Sequence, residues 1–136
     1  MASNFDFMSP KWSDIAGLGA KAEECGQSSP YECAVLLGKI GERVADELLA
    51  VNGLTLPEDS SQSEKIKFLR GHQLIIVSIE DILILLNDIS DETEITPDEA
   101  EKRLRMAHKL CHWFVLVHGY NDGNENANME TEIQPE

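Results

Sequence analysis

The run LIIVSIEDILILLNDI, residues 74–89, admits two readings, and the choice between them sets the fold class. Its isoleucines and valine favour a strand by composition. Its spacing favours a helix: Ile79, Ile82, Leu83, Leu86 and Ile89 recur at intervals of three and four, behind a helix-start signal at Ser78-Ile79-Glu80-Asp81. The spacing predicts a helix. Only a turn at Gly71-His72 and a short helical piece over residues 64–70 precede it, and no strand pair with a hairpin turn is left in the chain.

Working outward, the same start chemistry recurs. Ser9-Pro10, Ser29-Pro30 and Thr96-Pro97 each place a hydroxyl N-cap before a proline at the first helical position. Glu32 and Glu99 follow the second and third by three residues, which predicts two capping boxes. From Ser29, a seam of Cys33, Leu37, Ile40, Val44, Leu48 and Val51, widened by Leu36 and Ala45, predicts a long helix that stops at Gly53. Gly38 and Gly41 inside it each cost about 1 kcal/mol against alanine, which predicts a close neighbour. Residues 52–63 read as a loop.

The last helix is predicted from Thr96 to near Gly119. Its buried side reads Leu104, Ala107, Cys111, Phe114, Val115 and His118, and Met106, Leu110, Trp113 and Val117 form a second stripe. Only Glu101, Arg105, His108 and His112 stay clearly polar, as expected of a helix central to a bundle. The expected architecture is an all-α, single-domain antiparallel bundle of four to five helices over residues 1–119. Residues 120–136 hold five acids and no base, the composition of a disordered tail and of a natural chain end.

At 136 residues, with 42% apolar and 26% charged, the chain suits one soluble domain. Eleven basic against twenty-five acidic residues give −14, and taking the five tail acids away leaves −9. That field repels phosphate backbones, so no direct nucleic-acid binding is expected. The longest apolar run, residues 74–86, includes Ser78, Glu80 and Asp81 and is too short to span a bilayer. The N-terminus carries no secretory pattern, and three cysteines without CxxC spacing suit free thiols in the cytoplasm.

Candidate chemistry is thin. NDISDETEITPDE, residues 87–99, holds six acids in thirteen positions. Aligned from Asp88 it approaches a calcium loop, but Thr93 stands where the sharp turn needs glycine, and Pro97 stiffens the liganding backbone. Glu99 is also claimed by the Thr96 cap. His108 and His112 have the spacing of a shared metal, yet no third ligand accompanies them, Arg105 repels a cation and Lys109 replaces the glutamate of HExxH. No metal or cofactor is expected. Cys33 and Cys111 lie on apolar faces where thiols are inert, and Glu23 and Glu24 beside Cys25 disfavour a thiolate.

Three segments, NFDFMSPKWSDIAGLGAKAEE, SPYECAVLLGKIGERVADELLAVNGL and ITPDEAEKRLRMAHKLCHWFVLVHG, together resemble a small helical domain. That domain stands at the N-terminus of the restriction (motor) subunits of type I restriction–modification enzymes, occurs also in stand-alone proteins, and belongs to the HEPN-like superfamily. The resemblance covers residues 4–119 and is weakest over 54–78. It implies a HEPN-like bundle and a motif region at Ile84, Asn87, Asp88 and Asp91. In such domains the helix before the last ends in an arginine and then a histidine, or in a basic, glycine-asparagine, histidine stretch. Here Asn87 stands for the asparagine, Leu86 for the glycine, Leu83 and Ile84 for the basic positions and Asp91 for the histidine.

RNA cleavage at such a site needs a group that moves a proton near neutral pH and a cation to hold phosphate charge. Aspartate and leucine supply neither, so the resemblance implies a vacated site with no catalytic residue, leaving Arg105, His108 and His112 as a residual polar site. The implied function is a non-catalytic module that docks on a protein partner in type I restriction or another genome-defence system, with pairing of two copies a further analogy. The charge offers a different reading, an acidic DNA mimic that inhibits a nucleic-acid-binding enzyme. Its carboxylate row would be Asp91, Glu92, Glu94, Asp98 and Glu101, extended by Asp88 and Glu99. A third reading, a ribonuclease, would depend on His108 or His112.

Overall fold

The computed structural model describes residues 3–9, 11–89 and 94–118. Among them the chain forms one 3-10 turn (Asp6–Met8) and five α-helices, with no strand: α1 Ser13–Cys25, α2 Pro30–Val51, α3 Gln62–Gly71, α4 Val77–Asn87 and α5 Pro97–His118. The fold is an all-α helical bundle, and the ambiguous run is the helix α4. The expected acidic tail and the acids at Asp91 and Glu92 lie outside the described residues.

The long helix α2 is the hub, packing on α1, α3, α4 and α5. Its seam from Cys33 to Leu48 is fully buried, joined by Ala34 and Leu49, whereas Val51 faces solvent at the last turn. Gly53 follows with φ +67°, the left-handed conformation that glycine takes without steric cost. The close neighbour of Gly38 and Gly41 is α4. A Cβ at Gly38 would stand 3.1 Å from the Leu86 carbonyl oxygen, and one at Gly41 would touch the Leu86 and Leu83 side chains. That register runs α4 antiparallel to α2. Helix α5 is antiparallel to α4 in turn, because Arg103 reaches Asp88 past the end of α4, while Met106 and Lys109, further along α5, share a groove with residues from Ser78 to Leu85. The two long helices α2 and α5 therefore run the same way, each antiparallel to α4, as in a bundle of alternating direction. Trp12 joins their C-terminal halves, donating from Nε1 to Glu47 and packing on Phe114.

The helix starts are less uniform than the Ser/Thr-Pro grammar implies. The Ser29 side chain makes no capping bond, and α1 begins at Ser13, three residues past Pro10. Helix α4 begins at Val77 behind an extended Ile76, without a side-chain cap, so Ser78 lies inside it. At Thr96 the hydroxyl does accept the Glu99 amide, but the Glu99 carboxylate serves Arg103. The complete capping box is at Ser61 and Glu64, at the end of the segment expected to be a loop.

Residues 3–9, with Trp12, form a strap across α1 and α5. Phe5, Met8 and Trp12 are buried, and the Phe5 ring occupies the space where any side chain at Gly19 would stand. The Asn4 backbone N–H donates to the Glu23 carboxylate and ties the strap to α1.

Candidate functional site

The buried face of α5 is turned from the one the spacing suggested. It consists of Ala100, Arg103, Ala107, Leu110, Cys111 and Phe114, with Leu104, Val115 and His118 only half-buried and Val117 exposed. Arg103 is the one charged residue in the core among the described residues, at 4% exposure. Its Nε donates to the Glu99 carboxylate at 3.0 Å and Nη2 to the Asp88 carbonyl at 3.0 Å. Asp88 follows the last turn of α4, so a cation borne on α5 caps the C-terminal end of α4, where the helix dipole favours positive charge. Nη1 is buried with no hydrogen-bond partner among the described residues. Holding an unsatisfied donor in the core is costly, and it marks a group fixed by its other bonds.

This junction is where the motif region of the resemblance falls. Asn87 ends α4, half-buried; the Asp88 side chain is exposed; Ile84 is 51% exposed on the outer face; Asp91 lies outside the described residues. The cation here is Arg103, and it is spent on a carbonyl and a carboxylate. Sequence reasoning passed over it because arginine in a helix reads as surface. Its signal was positional: Ala100, Arg103, Ala107, Leu110 and Phe114 follow one another at intervals of three, four, three and four.

The residual polar site lies on the opposite flank of α5, under the strap. His108 and His112 stack with ring centroids 6.4 Å apart, and Phe7 meets both edge-on, at 5.4 and 6.0 Å. Phe5 meets His108 at 5.6 Å. Arg105 is 61% exposed and pairs loosely with Glu101 at 3.4 Å. An open cleft of about 420 Å³ runs between them, walled by Phe5, Leu104, Arg105, His108 and Lys109, with Glu23 on its rim. The structure thus does bring Arg105, His108 and His112 onto one flank, as helix spacing requires, and sets the edges of both imidazole rings against Phe7, with His108 half-buried and His112 exposed. Among the described residues no three metal-ligating side chains converge. Of the acidic row, Glu94, Asp98 and Glu101 are exposed, and Glu99 is not free.

Burial pushes the Cys33 thiol up to about 11 and the Cys111 thiol to about 12, so neither is a thiolate near neutral pH. Cys25 is raised too, first by burial, then by Glu32 and Glu24. Glu32, one turn into α2, thus acts beside the nearer Glu24.

On the α4 side of α5 lies a groove of about 440 Å³, floored by Ile82, Leu85 and Met106, with Asp81 on one wall and Lys109 on the other. Outside the groove, Val77 and Ile84 of α4 and Ile76 just before it expose aliphatic side chains, at 55%, 51% and 58%. No helix among the described residues is long and apolar enough to cross a membrane. Comparison with protein-family models, with curated proteins and with solved structures gives no match for this chain.

Proposed function

We propose that the chain is a non-catalytic helical interaction module, HEPN-like by the resemblance of its segments, that docks on a protein partner. Its setting is the cytoplasm, as an accessory or regulatory protein of type I restriction or another genome-defence system. The observation that carries the docking reading is the outer side of α4, where Val77 and Ile84, with Ile76 just before the helix, leave more than half their surface to water, next in sequence to Ser78 and Leu85 of an apolar groove. Large aliphatic groups gain about 25 cal/mol for each Å² that a partner covers. The non-catalytic reading draws support from the chemistry of the junction: the buried cation is already bonded at two of its three nitrogens, and the two histidines are packed against Phe7.

The test is a photo-crosslinking residue placed at position 84 in the full chain within the cell that makes it. A discrete heavier adduct from position 84, and none from the same residue at Asp46 on α2, is the expected result. No adduct from position 84 would remove the docking reading.

A second reading, the acidic DNA mimic, is favoured by one observation: Asp88, Glu94, Asp98 and Glu101 are all exposed around the α4–α5 junction. It predicts that the crosslinked partner is a nucleic-acid-binding protein whose capture weakens steeply with salt.

A further inference from the structure

We propose that the outer stripe of α4, with the groove beside it, receives an amphipathic helix whose apolar anchors are flanked by lysine or arginine. This rests on the docking reading and names the chemistry of the partner. Val77, Asp81, Ile84 and Asp88 succeed one another at intervals of four, three and four, so they form a single line along one face. All four are exposed, and they alternate aliphatic with acidic. Several acids elsewhere in the bundle are paired, while others, such as Glu42, Asp59 and Asp98, stand in water with no ion pair among the described residues. Arg70 meets Glu80 at 3.0 Å, Lys65 meets Asp46 at 2.7 Å, and Arg43 holds Asp14. Asp81 and Asp88 form no ion pair with any described residue, although Asp81 is the immediate neighbour of Glu80.

Such a line matches a helix that alternates apolar and basic residues, laid in the groove so that its anchors reach Ile82, Leu85 and Met106. Eleven residues of α4 give a track of roughly 16 Å, three turns of a partner. A second copy fits worse. Folded on itself about a two-fold axis, the stripe sets Val77 against Asp88 and Ile84 against Asp81, and buries carboxylates on aliphatic carbon.

The experiment uses the full chain and a labelled synthetic peptide of about 18 residues, five helical turns, with leucines on one face and lysines flanking them. A second peptide carries glutamate in place of lysine. Fluorescence anisotropy is expected to show the lysine peptide binding and the glutamate peptide not. Ile84→Ser, and separately the pair Asp81→Asn and Asp88→Asn, should each weaken binding by about tenfold or more, while Glu58→Gln with Asp59→Asn changes nothing. Equal weakening by the distant pair, no effect of Ile84→Ser, or equal binding of both peptides would overturn the proposal as general charge attraction. A dimer in light scattering that Ile84→Ser disperses would overturn it in favour of a second copy. If neither peptide binds while the crosslinker at position 84 still captures a discrete protein, the partner's chemistry is wrong and the docking reading stands; if both fail, both fall.

Discussion

The two flanks of α5 carry similar side chains to opposite ends. Arg103 faces α4 at 4% exposure, holds one carbonyl and one carboxylate, and leaves a nitrogen unsatisfied in the core. Arg105, two residues on, stands 61% exposed under the strap and pairs loosely with Glu101. Two positions on a helix are a turn of about 200°, which is the whole difference between a structural cation and a solvated one. Position, more than residue type, decides what charge does in this bundle.

The strongest way to challenge that contrast is to remove the packing that holds the strap flank. Phe5→Ala deletes a fully buried ring between Gly19 and His108 and should cost about 3–5 kcal/mol in urea unfolding. A cost below about 1 kcal/mol would mean the strap is not part of the folded core. Next comes Arg103→Ala, expected to cost about 2–3 kcal/mol by leaving the Asp88 carbonyl and the Glu99 carboxylate unpartnered beside a cavity. Arg103→Met fills the same space without the orphaned Nη1, and should recover most of that loss. If both variants cost the same, the hydrogen bonds and not the volume are what the junction needs. Arg105→Ala, by contrast, should stay within about 0.5 kcal/mol, as exposed pairs do.

Smallest is the response to pH. Burial lowers the His118 pKa from 6.5, so the fold prefers its neutral form; stability from this group is complete above 6.5 and declines as pH falls through the lowered value. The Asp14 pKa is lowered from 3.8 chiefly by its hydrogen bond to Arg43, so its contribution is complete above 3.8 and is lost at more acidic pH. Urea midpoints should therefore be level between pH 7 and 8 and fall in two steps, the first absent in His118→Gln and the second in Asp14→Asn.

The same contrast explains what could be read from the sequence. Helix α2 was legible because its buried face is uniformly apolar and its glycines mark the approach of α4. The reading of α4 survived its β-branched content because Ile79, Ile82, Leu83 and Leu86 keep helical spacing, and those four are its buried residues. The seam read from the sequence sets α5 at a slightly wrong rotation, because it includes the apolar Leu104, which is half-buried, and omits the charged Arg103, which is buried. The capping box at Ser61 and Glu64 was equally local and was passed over within an apparent loop. The strap was not legible at all, since Phe5 and Phe7 meet His108 across a hundred residues, and no local pattern encodes that contact. For the candidate site, adjacency of Arg105, His108 and His112 followed from spacing alone, but their engagement with Phe7 did not. The groove between α4 and α5 likewise required knowing which faces of two helices meet.

Whether any of these side chains performs chemistry is decided by incubating the purified full chain with single-stranded and structured RNA at neutral pH. With Arg103 bonded inside the core and His108 and His112 packed on Phe7, the RNA should remain intact in wild type, His108→Ala and His112→Ala alike. Cleavage by the wild-type chain that disappears on changing either histidine would contradict the reading of this bundle as a docking module without an active site.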